Sequence, residues 1–442
     1  MLVEALNRGE RRVLLQQGIL YLPSVGNSRA SRLTCAALAT VGGEYGLRIE
    51  VQSRATPAVV GATLSGGGGA RKPYVLRGRD ADGGRWQIKD GNLQSSSCRF
   101  TTGGASFELA PVFTHVRSDH VAEHQTHLIE IAVAARACLP DFEIDVAAST
   151  RKKCEGKGSY ADGEIDIRHR VVGDFRVISM RRLDGIRPYD QALRLIDALS
   201  FVNGFEVWPR LIRRIERDEA VLTIYRSRDD WDTQALSPFD MKSFGGGAGA
   251  WAAVAAYCRF CSPAKARSRP VVSRCVSQLQ GSYGSLFLSN KTLAAAIAVE
   301  GLVSRFVRKD IVKIWPNSKR SKWKQWVDAA ALPLDVANRL KNAIGDTKRR
   351  TTGSLLRTLR DRTVIPANLV DVWTKQRPRH AHSVRGSDEA ELESFFASVS
   401  LFQAIVLSLI DYKGDHRTFG SNGRATSVSC TGRPPATFNS NR

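Results

Sequence analysis

The chain has 442 residues, 43% of them hydrophobic and 24% charged, a balance that excludes wholesale disorder and a length that implies two or three domains. Lys and Arg outnumber Asp and Glu by 65 to 43, and the resulting charge of +22 sets up a field that attracts polyanions, nucleic acid foremost. The first residues carry charges where a secretory leader needs an apolar core, and among eight cysteines only Cys258 and Cys261 form a C-x-x-C pair. Free thiols in a reducing cytoplasm are therefore expected, rather than secretion or a structural zinc.

From about residue 15 to 180, apolar and polar residues alternate with period two between turn signals. Gly18–Pro23, Tyr45–Val51, Tyr74–Arg77, Arg85–Ile88, Ser106–Leu109, Leu128–Val133, Phe142–Val146, Glu164–Ile167 and Phe175–Ile178 read as strands, with Asp80–Gly84 as a turn. Short strands so spaced predict a β-sandwich or an open barrel. The glycine runs Ser65–Gly69 and Phe244–Gly249 read as loops, and neither has the spacing of a nucleotide cradle. A helix over Tyr189–Val202 stops at Asn203-Gly204, and Ala220–Tyr225 is a further strand.

From about residue 280 the pattern is helical. Asn290–Phe306 stacks Leu293, Ile297 and small residues on one face; Lys319–Ile344 is broken at Pro333 into a pair of segments; Ser354–Arg362 and Ala367–Arg379 are shorter. Glu389–Asp411 is entered through Gly386-Ser387-Asp388, with acidic residues in the first turn where the helix dipole favours them. Its uncharged stretch Phe395–Ile410 falls short of the roughly 20 residues that cross a bilayer and contains Gln403, so it reads as a buried bundle helix. The expected organisation is α+β: a β-rich sandwich or barrel-like domain over 1–180, a mixed linking region over 181–280, a helical bundle over 281–415, and a disordered, Gly/Ser/Asn-rich tail over 416–442.

The strongest chemical constellation lies before the last long helix, in Trp373-Thr-Lys-Gln-Arg377-Pro-Arg-His-Ala-His382. If the helix unwinds near His380, Arg377 and His382 can reach one phosphate. An imidazole with its ordinary pKa of about 6.5 can take or give a proton at neutral pH. A guanidinium holds the phosphate and offsets the charge that builds on it. The ribose 2′-hydroxyl can supply the nucleophile, so neither a protein nucleophile nor a metal or other cofactor is needed.

Arg-x4-His at the start of the last long helix of a small bundle resembles the signature of HEPN domains. The layout, a β-rich region before such a bundle, is similar to the ApeA-type proteins of bacterial phage defence. Ala192–Gly204 looks like the linking helix of that group, and Ala296–Leu302 like its first bundle helix. The resemblance implies a metal-independent endoribonuclease that cleaves single-stranded RNA or tRNA loops in abortive infection, answering a phage-derived trigger. It implies Arg377 and His382 as catalytic residues and Glu300 as a supporting acid, with Lys375, Arg379, His380 and Arg385 on the RNA, and a homodimer formed through the bundle. Pro378 departs from the family pattern, which has a polar residue after the Arg. A non-catalytic bundle that binds RNA or a protein partner is the alternative.

Two other clusters stand apart from this motif. His115, His120, His124 and His127 lack the His-Glu-x-x-His arrangement and read as loop histidines. Between Arg305 and Arg362, cations including Lys319, Arg320, Lys322 and Lys324 interleave with Trp315, Trp323 and Trp326. The cations are expected on an RNA-facing surface and the tryptophans in the core.

Overall fold

The structure is a computed structural model. It describes residues 11–431 except 22–31, 43–45, 54–73, 82–83, 94–98, 102–103, 111–112, 119–127, 135–155, 161–164, 173–174, 182–187, 217–218, 226–235, 241–245, 262–268, 284–286, 308–315, 347–350, 382–386 and 421–422. The chain is α+β and divides into two compact units, one of residues 1–199 with 207–232, the other of 200–206 with 233–442.

Among the described residues, the first unit holds fourteen antiparallel strands. They are β1 (Arg11–Tyr21), β2 (Arg32–Gly42), β3 (Gly46–Ser53), β4 (Tyr74–Arg79), β5 (Arg85–Leu93), β6 (Arg99–Thr101), β7 (Gly104–Ala110), β8 (Phe113–Ser118), β9 (Leu128–Ala134), β10 (Gly156–Tyr160), β11 (Ile165–Val172), β12 (Phe175–Arg181), β13 (Pro209–Glu216) and β14 (Glu219–Tyr225). The order is β10-β11-β12-β9-β13-β14-β8-β5-β4-β1-β2-β3-β7-β6. One edge of β5 serves two neighbours: residues 85–89 pair with β8, and Asn92 and Leu93 pair with Ala110 and Leu109 of β7. The pairings β4-β1-β2-β3-β7-β5 therefore return on themselves as a ring.

Local chemistry explains the elements. Asp80 closes the β4–β5 turn by accepting from the Gly84 amide and from the Trp86 indole, each at 2.7 Å. In β9, Ile129, Ile131, Ala132 and Val133 are all buried, as in a strand covered on both faces. Glu130 interrupts that run and pairs at 3.0 Å with Arg213, its direct cross-strand neighbour on β13. His115 lies within β8, opposite Thr223 and Gln87, and not in a loop as the sequence predicts; His120, His124 and His127 lie outside the described residues, as do Phe142–Val146. Helix α1 (Pro188–Asn203) ends at Gly204 with φ +70°, the left-handed position that stops a helix.

The helices of the second unit are α2 (Gly246–Phe260), α3 (Arg269–Ser282), α4 (Leu288–Phe306), α5 (Asn317–Ala329), α6 (Leu334–Asp346), α7 (Thr352–Asp361), α8 (Ala367–Ala381) and α9 (Asp388–Leu409). From Ser394 to Leu409 helix α9 is buried on every side, and it is the centre of the bundle. Its four buried serines and Gln403 need partners; Gln403 donates to the Leu236 carbonyl at 2.7 Å, and Ser400 Oγ accepts from the Phe419 amide at 2.7 Å. Helix α4 packs on α9 and on α3, and its buried face is built of Thr292, Ala295, Ala296, Ala298, Val299, Leu302, Val303 and Phe306, many of them small. That reverses the face predicted from sequence: Leu293 and Ile297 point to solvent.

Two further expectations change. The glycines of the 244–249 run do not stay in a loop; Gly246 begins α2, and Gly249 leaves space in which an added Cβ would sit 3.0 Å from the Tyr412 hydroxyl. Residues 413–431 are not disordered: β15 (Lys413–Phe419) and β16 (Ala425–Thr431) form an antiparallel hairpin. Its glycines suit a turn, with Gly423 at φ +72°, while His416, Thr418 and Phe419 are buried beside α9. Residues 432–442 lie outside the described residues. The break at Pro333 is where the sequence predicts it: α5 ends before this proline and α6 begins after it, with the Pro333 carbonyl accepting the Ala337 amide at 2.9 Å.

Candidate active site

Helix α8 is anchored by Leu369, Val370 and Trp373, all buried, and by Asp371, which accepts from Arg360 of α7 at 3.0 Å. Beyond that anchor Lys375 is exposed. The helix does not unwind near His380 as the sequence reading supposes; it continues through Pro378 to Ala381. A proline here removes one donor from the final turns, where carbonyl partners are already running out, and the buried turns before it hold the axis.

A continuous helix rotates 100° per residue. Arg377 and His380, three apart, thus share one helix face, whereas Arg379 occupies another. His382 is the first residue past the helix and Arg385 follows it; both lie outside the described residues, as do the side chains of 376–381. The link ends at Ser387, whose Oγ accepts from the Ala390 amide at 3.3 Å and caps α9. Asp388, Glu389 and Glu391 in the first turn of α9 suit the dipole but repel a phosphate. The positive charge at this junction comes from α8.

Glu300 is half-buried on α4. Thr292 Oγ1 donates to the Glu391 carbonyl at 3.4 Å, which fixes the level of α4 beside the start of α9. Glu300 follows Thr292 by eight residues, about 12 Å of helix rise. It is displaced along α4 from the level at which the Arg377–His382 link arrives.

Other chemistries have less to build on. Among the described residues no three His, Cys, Asp or Glu side chains cluster as metal ligands do. Cys258 and Cys261 lie at the end of α2 and are not joined in a disulfide. Burial pushes the Cys275 thiol up to about 11 against the opposing charge of Arg274, which makes it a poor nucleophile.

The tryptophans depart most from expectation. Trp315 lies outside the described residues, but Trp323 and Trp326 are 42% and 58% exposed on α5 rather than buried. Only Val327 of that helix enters a core, the small one it makes with Leu332, Ala337 and Ile344. The signal was present in the sequence: Asn317–Ala329 has charged or polar residues at nearly every angle and no apolar stripe for indoles to join. No protein-family model, curated protein or solved structure matches this chain.

Proposed function

We propose that the helical unit is a metal-independent endoribonuclease of the HEPN type, which cleaves single-stranded RNA or tRNA loops in the cytoplasm as part of antiphage defence. One observation carries the reading: α8 stays helical to Ala381 and so keeps positions 377 and 380 on one helix face, and His382 follows in sequence, five residues before the Ser387 cap of α9. A helix carries an Arg and a His three positions apart on one face, and phosphate chemistry requires those two residue types together.

In this reading an imidazole removes the proton of a ribose 2′-hydroxyl, and the freed oxygen attacks the adjacent phosphorus. The bond to the 5′-oxygen breaks, and that oxygen takes up a proton. The products are a 2′,3′-cyclic phosphate and a 5′-hydroxyl. Arg377 compensates the charge on the phosphate oxygens, with Lys375, Arg379 and Arg385 along the strand. Glu300, offset along α4, supports from a distance. A homodimer fits the exposed Leu293 and Ile297 on the outer face of α4, since a second bundle would cover them.

The second reading, an RNA-binding bundle without catalysis, is favoured by the continuous helix through Pro378 to Ala381, which lacks the unwinding near His380 by which Arg377 and His382 would reach one phosphate. Labelled single-stranded RNA incubated with purified protein in EDTA separates the two. Cleavage is expected, falling at least a hundredfold in Arg377→Ala and His382→Ala, on the order of a lost acid–base group. Binding without products supports the second reading, and equal cleavage by all three proteins removes the site.

A further inference from the structure

Helices α5 and α6 pair through the small core around Val327 and leave most of their surface open. Trp323 and Trp326 lie three residues apart on the outer side of α5, with ring centroids 5.6 Å apart and planes at 72°. In an edge-to-face pair, the ring that offers its edge keeps both of its own faces uncovered by the other. An exposed indole forgoes the stabilisation of burial, and two on one short helix mark a contact surface.

The charge around them selects the partner. Lys319, Lys322 and Lys324 are exposed on the same turns, and Lys322 and Lys324 make no ion pair among the described residues. Four cations of α5 face one carboxylate, Asp328, which Lys341 of α6 engages. Lys319 and Arg320 sit in the first turn, where the helix dipole disfavours cations and no acidic residue is present. Pro316 supplies no side-chain cap, so dipole, uncapped amides and lysines add their positive potential at one end. A bilayer would need an apolar stripe. The rest of exposed α5, Ala329 apart, is polar or charged: Asn317, Ser318, Ser321, Gln325 and Asp328 beside the lysines.

We infer that α5, held by α6, binds single-stranded nucleic acid, with bases stacked on Trp323 and Trp326 and phosphates held by Lys322 and Lys324. Interleaved indoles and cations match a strand in which each base lies next to a phosphate. The inference does not depend on the nuclease reading, since a bundle that only bound RNA would keep this grip.

The test is fluorescence anisotropy of a labelled single-stranded oligouridylate with the full chain, all proteins carrying Arg377→Ala so that cleavage does not consume the probe. Trp323→Ala with Trp326→Ala is expected to weaken binding roughly thirtyfold, the effect of two modest base stacks. The double leucine variant, which keeps apolar area but loses the aromatic faces, should weaken it similarly, and the double tyrosine variant should retain most of it. Lys322→Ala with Lys324→Ala should reduce the salt slope of log affinity by about 1.4. Unchanged affinity in the alanine variant overturns the proposal. So does tryptophan-dependent sedimentation with phosphatidylglycerol vesicles that the leucine variant preserves, or tryptophan-dependent self-association seen by light scattering without nucleic acid. Absence of cleavage by the chain with Arg377 intact would overturn the nuclease reading and leave this measurement standing.

Discussion

Gln403, buried in the middle of α9, donates from Nε2 to the carbonyl of Leu236 at 2.7 Å, across 167 residues of sequence. The amide of Leu236 in turn donates to the Gly204 carbonyl at 3.3 Å, so the central helix is tied to the stop of α1 through a single backbone segment. Gln403→Met keeps the volume and loses the bond, leaving a buried carbonyl without a donor, at about 1–3 kcal/mol. Gln403→Ala adds a cavity and should cost more, about 2–4 kcal/mol. Urea unfolding followed by far-UV circular dichroism should rank wild type above Met above Ala. A Met variant as stable as wild type would show that the bond contributes nothing net.

The same segment makes Gly204 irreplaceable. Its φ is +70°, and an added Cβ would stand 2.2 Å from the Leu236 carbonyl carbon. Backbone cannot yield as a flexible side-chain tip can, so Gly204→Ala should destabilise by about 3 kcal/mol. Gly353, at the start of α7 with open space around it, provides the contrast. Gly353→Ala should be neutral or stabilise by about 0.5 kcal/mol. Equal thermal midpoints for the two variants would contradict this account of Gly204.

The hairpin β15–β16 carries a pH dependence. His416 is buried, and burial lowers its pKa below the ordinary value, with Asp415 opposing. Below about pH 6.5 the unfolded chain binds the proton more readily than the folded one. Stability is therefore full above that pH and falls with decreasing pH until the depressed folded value is passed, at up to about 1.4 kcal/mol per pH unit. His416→Leu should remove this slope in denaturant titrations between pH 6.5 and 5. An unchanged slope would assign the effect to other groups.

The outer face of α4 should report on assembly. Ile297→Glu places a carboxylate in the exposed apolar pair with Leu293. If a second bundle covers that face, the variant is monomeric by light scattering where the wild type is dimeric, because an unpaired charge cannot be buried cheaply. A wild-type dimer that survives the substitution would exclude this face as the interface.

What could be read beforehand was what local chemistry decides. The Asp80 turn, the Gly204 stop, the Pro333 break and the Ser387 cap each depend on a few neighbouring residues, and each stands where the sequence put it. What could not be read was decided by distant contacts. Ala295, Ala296 and Val299 are buried while the larger Leu293 and Ile297 are left exposed, because close packing there rewards small side chains. The hairpin at 413–431 looked like a tail until Phe419 and His416 found α9. Of the candidate site, the helix through Arg377 and Pro378 to about Arg379 was legible, although its continuation past His380 to Ala381 was not; proline weakens a helix locally, but the burial of Val370 and Trp373 sustains it.

The most direct test of a phosphate-cleaving site at the end of α8 is the chemistry of the RNA ends it leaves. Single-stranded RNA incubated with EDTA-treated protein should yield fragments with 2′,3′-cyclic phosphate and 5′-hydroxyl termini, and these should vanish with Arg377→Ala. Fragments with 3′-hydroxyl and 5′-phosphate termini, or a yield of cyclic ends that the substitution leaves untouched, would contradict it.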